Sequence, residues 1–253
     1  MLRSSYIDQY FLNIKLNKDY PDIYCVRNGI LKAIKSFIPE FKGKLLDVGC
    51  GIMPYRELIL NANKNVISYI GLDFENSLDA EYALGKPDLF WNGDVIPMED
   101  NAVETIIATE FFEHCPQPEK IMKEMLRVLK PGGLLFITVP FIWNLHLVPY
   151  DEYRYTPFSL KRHLQNAGFI NIELNALGGV DASLAQMLAI WYRNRPMRAS
   201  YKKYLGSLFI PIIRRLMSAD SKAHKSEMFT DGTMITGLSG IAYKINSENH
   251  TSK

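Results

Sequence analysis

Three groups of residues in this sequence have types and spacing suited to chemistry. The first is Asp47-Val48-Gly49-Cys50-Gly51, which closes an apolar run begun at Lys44. Glycines at such a break let backbone approach a ligand closely, because no side chain stands in the way. Asp73 lies 22 residues past Gly51, and the two oxygens of a carboxylate match a cis-diol. Gly93-Asp94-Val95 offers a further acid beside a turn. The second group is Thr109-Glu110-Phe111-Phe112-Glu113-His114. The third is the stretch 141–156, with His146, Asp151, Glu152, Arg154 and three tyrosines in sixteen residues. Histidine titrates near neutral pH and suits proton transfer. His146 is the first choice for a general base, with Asp151 to orient it and Arg154 to bind an acidic or hydroxylated substrate. Glu113 and His114 are rivals that sit nearer the first group.

The elements that must carry these residues follow from the apolar pattern. Residues 44–48 read as a buried strand, the glycines as a turn, and Pro54 as the first residue of a helix reaching Leu60. A second strand runs from Asn65 to Leu72 and ends at Asp73; residues 75–90 read as a loop or short helix, and 89–92 as a short strand. Val103 to Ala108 is a fourth strand, so the second group lies at its carboxyl end, where open α/β sheets bind ligands. An amphipathic helix spans Glu119 to Leu129; Lys130-Pro131-Gly132-Gly133 stops it and turns into a fifth strand, 134–139. The 141–156 loop leaves that strand. Thr156-Pro157 then reads as an N-cap and first helical residue, with Gly168 as the stop. A sixth strand at 169–176, a helix at 182–193 and a last strand at 237–245 complete the core, and helical spacing covers residues 5–40 before it.

A dinucleotide fingerprint needs glycine where Pro54 stands, so that fingerprint is broken. A plain turn between strand and helix is the simpler reading of the glycines alone. Asp47-Val48-Gly49-Cys50-Gly51 resembles motif I of the class I S-adenosylmethionine-dependent methyltransferases. The run from Asp94 through Glu113-His114 to Leu129-Lys130-Pro131-Gly132-Gly133 resembles the small-molecule branch called type 11, over residues 43–140. The resemblance implies an α/β, Rossmann-like fold with a mostly parallel central sheet, an antiparallel last strand and helices on both faces. It implies S-adenosyl-L-methionine as cofactor, with Asp47 toward the cationic methionine end and Asp73 on the ribose hydroxyls. Asp94 and the Val95 N–H would take the adenine, and Gly49, Cys50, Gly51, Phe74 and Glu110 complete the cofactor set. The family often has a third glycine where this chain has Met53. His146-x-x-Pro149-x-Asp151-x-x-Arg154 resembles bacterial methyltransferases encoded with glycan-building enzymes.

The expected organisation is one methyltransferase domain over 1–253. A helical cover or lid (1–42) precedes a cofactor-binding core (43–180). A helical basic insertion (181–233) and a last strand with tail (234–253) follow. Net charge is +2, but unevenly spread. Residues 1–192 balance to −5, and residues 193–225 to +8. Neither part reads as a nucleic-acid-binding domain. Tyr201, Leu205, Leu208, Ile212 and Leu216 recur at helical spacing among basic residues. That pattern suits weak contact with an anionic membrane surface through residues 198–217, a pocket cover, or a homodimer face. Pro211 is expected to kink this helix or start another. The three cysteines form no C-x-x-C pair, which fits a reducing compartment, and no stretch has signal-peptide or membrane-spanning character. The expected location is cytoplasmic, with peripheral contact at the inner membrane face. No metal is expected, because no cluster has ligand spacing.

The function read from these residues is methyl transfer from S-adenosylmethionine to a small hydroxylated acceptor, such as a sugar or glycan intermediate, with oxygen as the methylated atom. Holding nucleophile and methyl carbon in near-attack geometry supplies most of the help in such a displacement. The competing classes are a catalytically silent methyltransferase fold that docks on a partner or membrane, and a nicotinamide-dependent reductase.

Overall fold

The structure is a computed structural model that describes residues 2–74, 85–223 and 229–246. Its centre is a seven-stranded sheet: β1 (Gly43–Val48), β2 (Val66–Phe74), β3 (Leu89–Trp91), β4 (Val103–Thr109), β5 (Leu129–Pro140), β6 (Ile170–Ala176) and β7 (Gly237–Tyr243). The spatial order is β3-β2-β1-β4-β5-β7-β6. Strands β1 to β5 are parallel, and β7 runs antiparallel between β5 and β6. The expected fold class is therefore the observed one.

Alternation along the strands sends neighbouring side chains to opposite faces, and each face has its own core. Leu46, Leu135 and Ile137 pack with Met122, Met125, Leu160 and Leu164 of α4 (Pro118–Val128) and α5 (Pro157–Ala167). Leu45, Leu134 and Phe136 pack with Ile30 and Ile34 of α2 (Pro21–Phe37) and Ile59 of α3 (Arg56–Ala62). The strands are accordingly apolar on both faces, as parallel strands between helical layers must be.

The loop–helix junction before α5 forms as its sequence implies. The Thr156 hydroxyl accepts from the Ser159 N–H at 3.2 Å, Ser159 Oγ accepts from the Thr156 N–H, and Gly168 closes the helix at φ 104°. Such a cap contributes about 1 kcal/mol.

Elsewhere the structure corrects the boundaries. The helical reading of 5–40 breaks in two: α1 (Leu2–Ile7) and a π-helical turn, Asp8–Leu12, are separated from α2 by the non-helical residues 13–20. Asn17 Oδ1 there accepts from the N–H groups of Asp19 and Tyr20, an alternative to helix that asparagine favours. Pro54 lies in a turn, two residues before α3. Lys130 to Gly133 belong to β5, where the Gly132 N–H donates to the Lys244 carbonyl and the Lys244 N–H to the Gly133 carbonyl. The reading of 75–90 falls mostly outside the described residues, as does the C-terminal tail beyond 246.

The basic segment forms one helix, α7 (Ala199–Ala223), which continues through Pro211. It packs along α6 (Val180–Asn194) through Phe209 and Ile213, near Ala185 and Ala189. Asp220 also reaches across: its carboxylate accepts the Gly179 and Ala182 N–H groups, at 3.0 and 3.1 Å. It thus caps α6, whose own N-cap, Gly179, has no side chain to do so. This tie and the packing outweigh the one backbone bond that proline removes.

Candidate active site

The carboxyl ends of β1, β2, β4 and β5 meet along one edge. Gly49 and Gly51 follow β1 with φ of 70° and 49°. A Cβ on Gly49 would collide with the Phe111 ring, whereas a Cβ on Gly51 would meet no atom within 4 Å. So Gly49 is needed for packing and Gly51 borders open space. Met53 occupies the left-handed region, φ 52°, a conformation that favours glycine. Its N–H closes a turn on the Cys50 carbonyl at 2.7 Å, and its buried side chain packs under Gly71. The Gly49 and Cys50 N–H groups both bond to the Leu72 carbonyl, and the Cys50 thiol is buried. Cys50 thus shapes the loop from within.

Asp47 is buried, and one carboxylate oxygen accepts the Tyr69 hydroxyl. The other, Oδ1, is buried without a partner. Burial pushes its pKa up to about 7, against the lowering effect of the Tyr69 hydrogen bond. Asp73 Oδ2 accepts the Gly51 N–H and Oδ1 the Phe74 N–H, both at 2.7 Å. Burial raises its pKa while those two bonds lower it. Each oxygen keeps a lone pair for a further donor. Phe74 stacks on Trp91 and Phe111, with centroids 5.6 and 6.0 Å away. Asp94 is exposed and paired with Lys120 at 2.5 Å, and Val95 is exposed beside it. An exposed pair of this kind contributes only about 0–1 kcal/mol, so a ligand can displace it.

Glu110 stands at φ 51° at the end of β4. Its Oε1 accepts the Thr138 hydroxyl at 2.9 Å, and burial raises its pKa. The N-terminal segment covers this edge: Arg3 donates to the Ile52 carbonyl at 2.9 Å, and Phe11 meets Tyr55 edge-on. Within residues 1–42, α2 thus packs on the sheet and α1 lies against the glycine loop.

The 141–156 loop folds back over the end of β4. The Glu152 and Tyr153 N–H groups bond to the Glu113 carbonyl, and the Tyr155 hydroxyl to the Phe112 carbonyl. Arg154 grips Asp151 with two hydrogen bonds of 2.7 and 2.8 Å. Those bonds hold the Asp151 pKa down to about 2. His146 Nδ1 lies 3.3 Å from Asp151 Oδ2, and burial lowers the His146 pKa, so its ring is neutral at pH 7. The ring of His114 stands edge-on to it, with centroids 4.7 Å apart. Glu113 is wholly buried, with neither carboxylate oxygen paired. Burial first, and the Glu110 charge second, raise its pKa well above the ordinary range. The structure thus brings His146, Asp151 and Arg154 together and sets the rivals Glu113 and His114 beside them. The sequence reading missed Gln186, whose amide donates to the Ile142 carbonyl from α6, and buried Ser183 beside it on the same helix.

The donor set fits the cofactor that the motifs imply. Asp47 Oδ1 is an orphaned acceptor for a cationic amino group, Asp73 has lone pairs for a diol, and Gly51 opens the wall between them. Among known proteins, residues 46–137 match the family model of a methyltransferase domain, type 11. A sterol 24-C-methyltransferase of Aspergillus fumigatus is 37% identical over 98 residues, covering 36% of this chain and 26% of that protein. An uncharacterized methyltransferase of Mycobacterium bovis is 34% identical over 107 residues, 40% of each. The matched stretch thus spans between about a quarter and two fifths of these relatives' length. In fold, the chain resembles a phosphoethanolamine N-methyltransferase of Haemonchus contortus, solved with S-adenosylhomocysteine: TM-score 0.54, 17% identity, 97% of this chain and 57% of that one. It also resembles a putative sarcosine dimethylglycine methyltransferase of Galdieria sulphuraria: TM-score 0.55, 14% identity, 97% and 99%. With the strand order, the glycine turn and the family match in agreement, the domain built on residues 46–137 belongs to the class I S-adenosylmethionine-dependent methyltransferases.

Proposed function

We propose that this protein transfers the methyl group of S-adenosylmethionine to an oxygen of a small hydroxylated acceptor, a sugar or glycan intermediate. The cofactor supplies an electrophilic methyl on a sulfonium. Asp47 takes the amino group of its methionine end and Asp73 its ribose hydroxyls, with Asp94 and Val95 at the adenine and Glu110 beside them. The observation that carries the acceptor side is the cluster on the 141–156 loop: neutral His146, fixed against an Asp151–Arg154 pair at the carboxyl end of β5. Its ring nitrogen serves the acceptor's ionisable proton, and Arg154 positions the acceptor. Unpaired buried acceptors at Asn144, Ser183 and Gln186 support a polar, hydroxyl-bearing molecule over an apolar one. The sterol relative named above is a 24-C-methyltransferase, and these unpaired polar atoms are what separate the present reading from carbon methylation. The exposed faces of α6 and α7 support a peripheral contact with an anionic membrane.

The cofactor half is tested at Asp73. Losing a charge-assisted hydrogen bond costs about 1.5–3 kcal/mol, so Asp73→Ala should weaken S-adenosylmethionine binding at least about tenfold. Calorimetric titration checks this, with NAD as the comparison ligand. Equal affinity in mutant and parent removes Asp73 from the site. The acceptor half is read by single-turnover transfer of labelled methyl to a panel of nucleotide sugars and free glycans.

A further inference from the structure

Glu113, His114 and His146 converge although the two histidines are 32 residues apart in the chain. One ligand atom from each lies within 4.8 Å of the other two. We propose that this trio binds a first-row divalent transition-metal ion of the Zn2+ or Co2+ type, leaving one coordination position open toward the acceptor.

The donor set of two imidazoles and one carboxylate is that of open, three-ligand sites for such ions. Their bonds of about 2.0–2.2 Å place tetrahedral ligand atoms about 3.4 Å apart, a modest contraction of the present trio. Glu113 is the independent sign of a missing partner. Its carboxylate is wholly buried, neither oxygen accepts a hydrogen bond, and Oε1 lies 3.8 Å from His114 Nε2. His114 is already oriented as a ligand is, and His146 lies beside a carboxylate that could orient it. His114 Nδ1 lies 2.9 Å from the Tyr150 carbonyl, so it donates there and leaves the Nε2 lone pair free. His146 Nδ1 faces Asp151, itself gripped by Arg154. In metal sites such outer partners, a backbone carbonyl or a carboxylate, set ring orientation and ligand basicity. Spacing along the chain hides this arrangement, because its members come from segments that only the packed sheet brings together.

The inference deepens the proposed function. What the ion does rests on that reading, whereas its binding does not. An acceptor hydroxyl at the open position would become more acidic and lose its proton to solvent water; with the ion bound His146 is a ligand, and the proton-accepting role given to it above belongs to the ion-free site.

The test uses the full chain, stripped with a chelator and titrated with Co2+ without cofactor or acceptor. The expected result is visible d–d absorption that saturates at one ion per chain and is abolished by Zn2+. Glu113→Gln, His114→Ala and His146→Ala should each weaken Co2+ binding more than about 100-fold, beyond the effect of losing an outer-shell partner. His163→Ala, which removes a histidine paired with Glu119 outside the trio, should leave binding unchanged. Thermal melting identifies any variant that fails to fold, and the isosteric Glu113→Gln then decides. No absorption, or binding that survives all three substitutions, overturns the proposal. S-adenosylmethionine calorimetry on the same stripped sample reads the cofactor site separately: Co2+ binding without it supports the metal site and counts against methyl transfer alone.

Discussion

Asp47 carries a pH signature that follows from its burial. Its pKa stands at about 7 in the free protein, far above the ordinary carboxylate value of about 3.9. The cationic amino group of S-adenosylmethionine favours the ionised form, so binding lowers this pKa and releases a proton. Affinity should therefore fall as pH drops below about 7 and level off above it. Calorimetry in buffers of different ionisation enthalpy measures the released proton directly. In Asp47→Asn the dependence should flatten, at the cost of weaker binding throughout. A parental protein whose affinity is constant across that range places the amino group elsewhere. The same residue shows how context decides chemistry. Asp73, with two backbone donors in place of one tyrosine, stays fitted to neutral hydroxyls. At Met53 a buried side chain holds a left-handed conformation that costs about 1–2 kcal/mol outside glycine. Packing outweighs that strain, which is how the loop closes without the third glycine.

At the scale of elements, the loop between β5 and α5 is organised by one ion pair. Asp151 has almost no exposed side chain, while Arg154 is about a quarter exposed. Arg154 first, through its hydrogen bonds, holds the Asp151 pKa near 2, below its unfolded value. A depressed folded-state pKa gives stability that is complete above the unfolded value and lost as pH falls toward 2. Asp151→Ala should cost about 3 kcal/mol at neutral pH, the low end for breaking a buried pair, since Arg154 keeps its carbonyl contacts. Urea unfolding at pH 7 and across the acid limb measures both effects. Parallel curves for mutant and parent would mean that the pair contributes nothing to folding.

Such elements differ in how far sequence reveals them. Helix α5 was legible because Thr156, Ser159 and Gly168 act within a few residues. The motif acids were legible because strand tips follow from apolar runs. Glu113 with His146, and Asp220 capping α6, were not, because each joins distant segments whose approach only the packed sheet fixes. The break at 13–20 was hidden by helical spacing on either side, with a local Asn17 turn between.

The whole molecule is electrically and hydrophobically lopsided. Residues 193–225 carry a balance of +8, while the 192 residues before them sum to −5. Helix α7 sorts its residues in a way the sequence stripe misassigned. Leu205 and Ile213 are buried and Leu216 packs inward, whereas Tyr201, Tyr204, Leu208 and Ile212 are exposed. On α6, Val180, Leu184, Met187 and Trp191 form a second exposed apolar row at helical spacing. Arg195, Arg198, Lys203, Arg214 and Arg215 are exposed around these rows. No helix among the described residues is long and apolar enough to cross a membrane, so any contact lies in the interface plane. Each basic residue near an anionic surface contributes about 1 kcal/mol, screened by salt, and burying the aromatic and leucine side chains adds to it. The full chain should therefore co-sediment with vesicles rich in phosphatidylglycerol at low salt and release as salt rises. Arg214→Glu with Arg215→Glu should reverse two charges and reduce binding more than about tenfold. Leu208→Ser with Ile212→Ser should weaken what survives at high salt and leave the salt-sensitive part in place, because it removes apolar burial and no charge. Equal recovery on neutral and anionic vesicles, or none on either, would return these rows to the role of a cover or a dimer face. Sedimentation velocity separates those two.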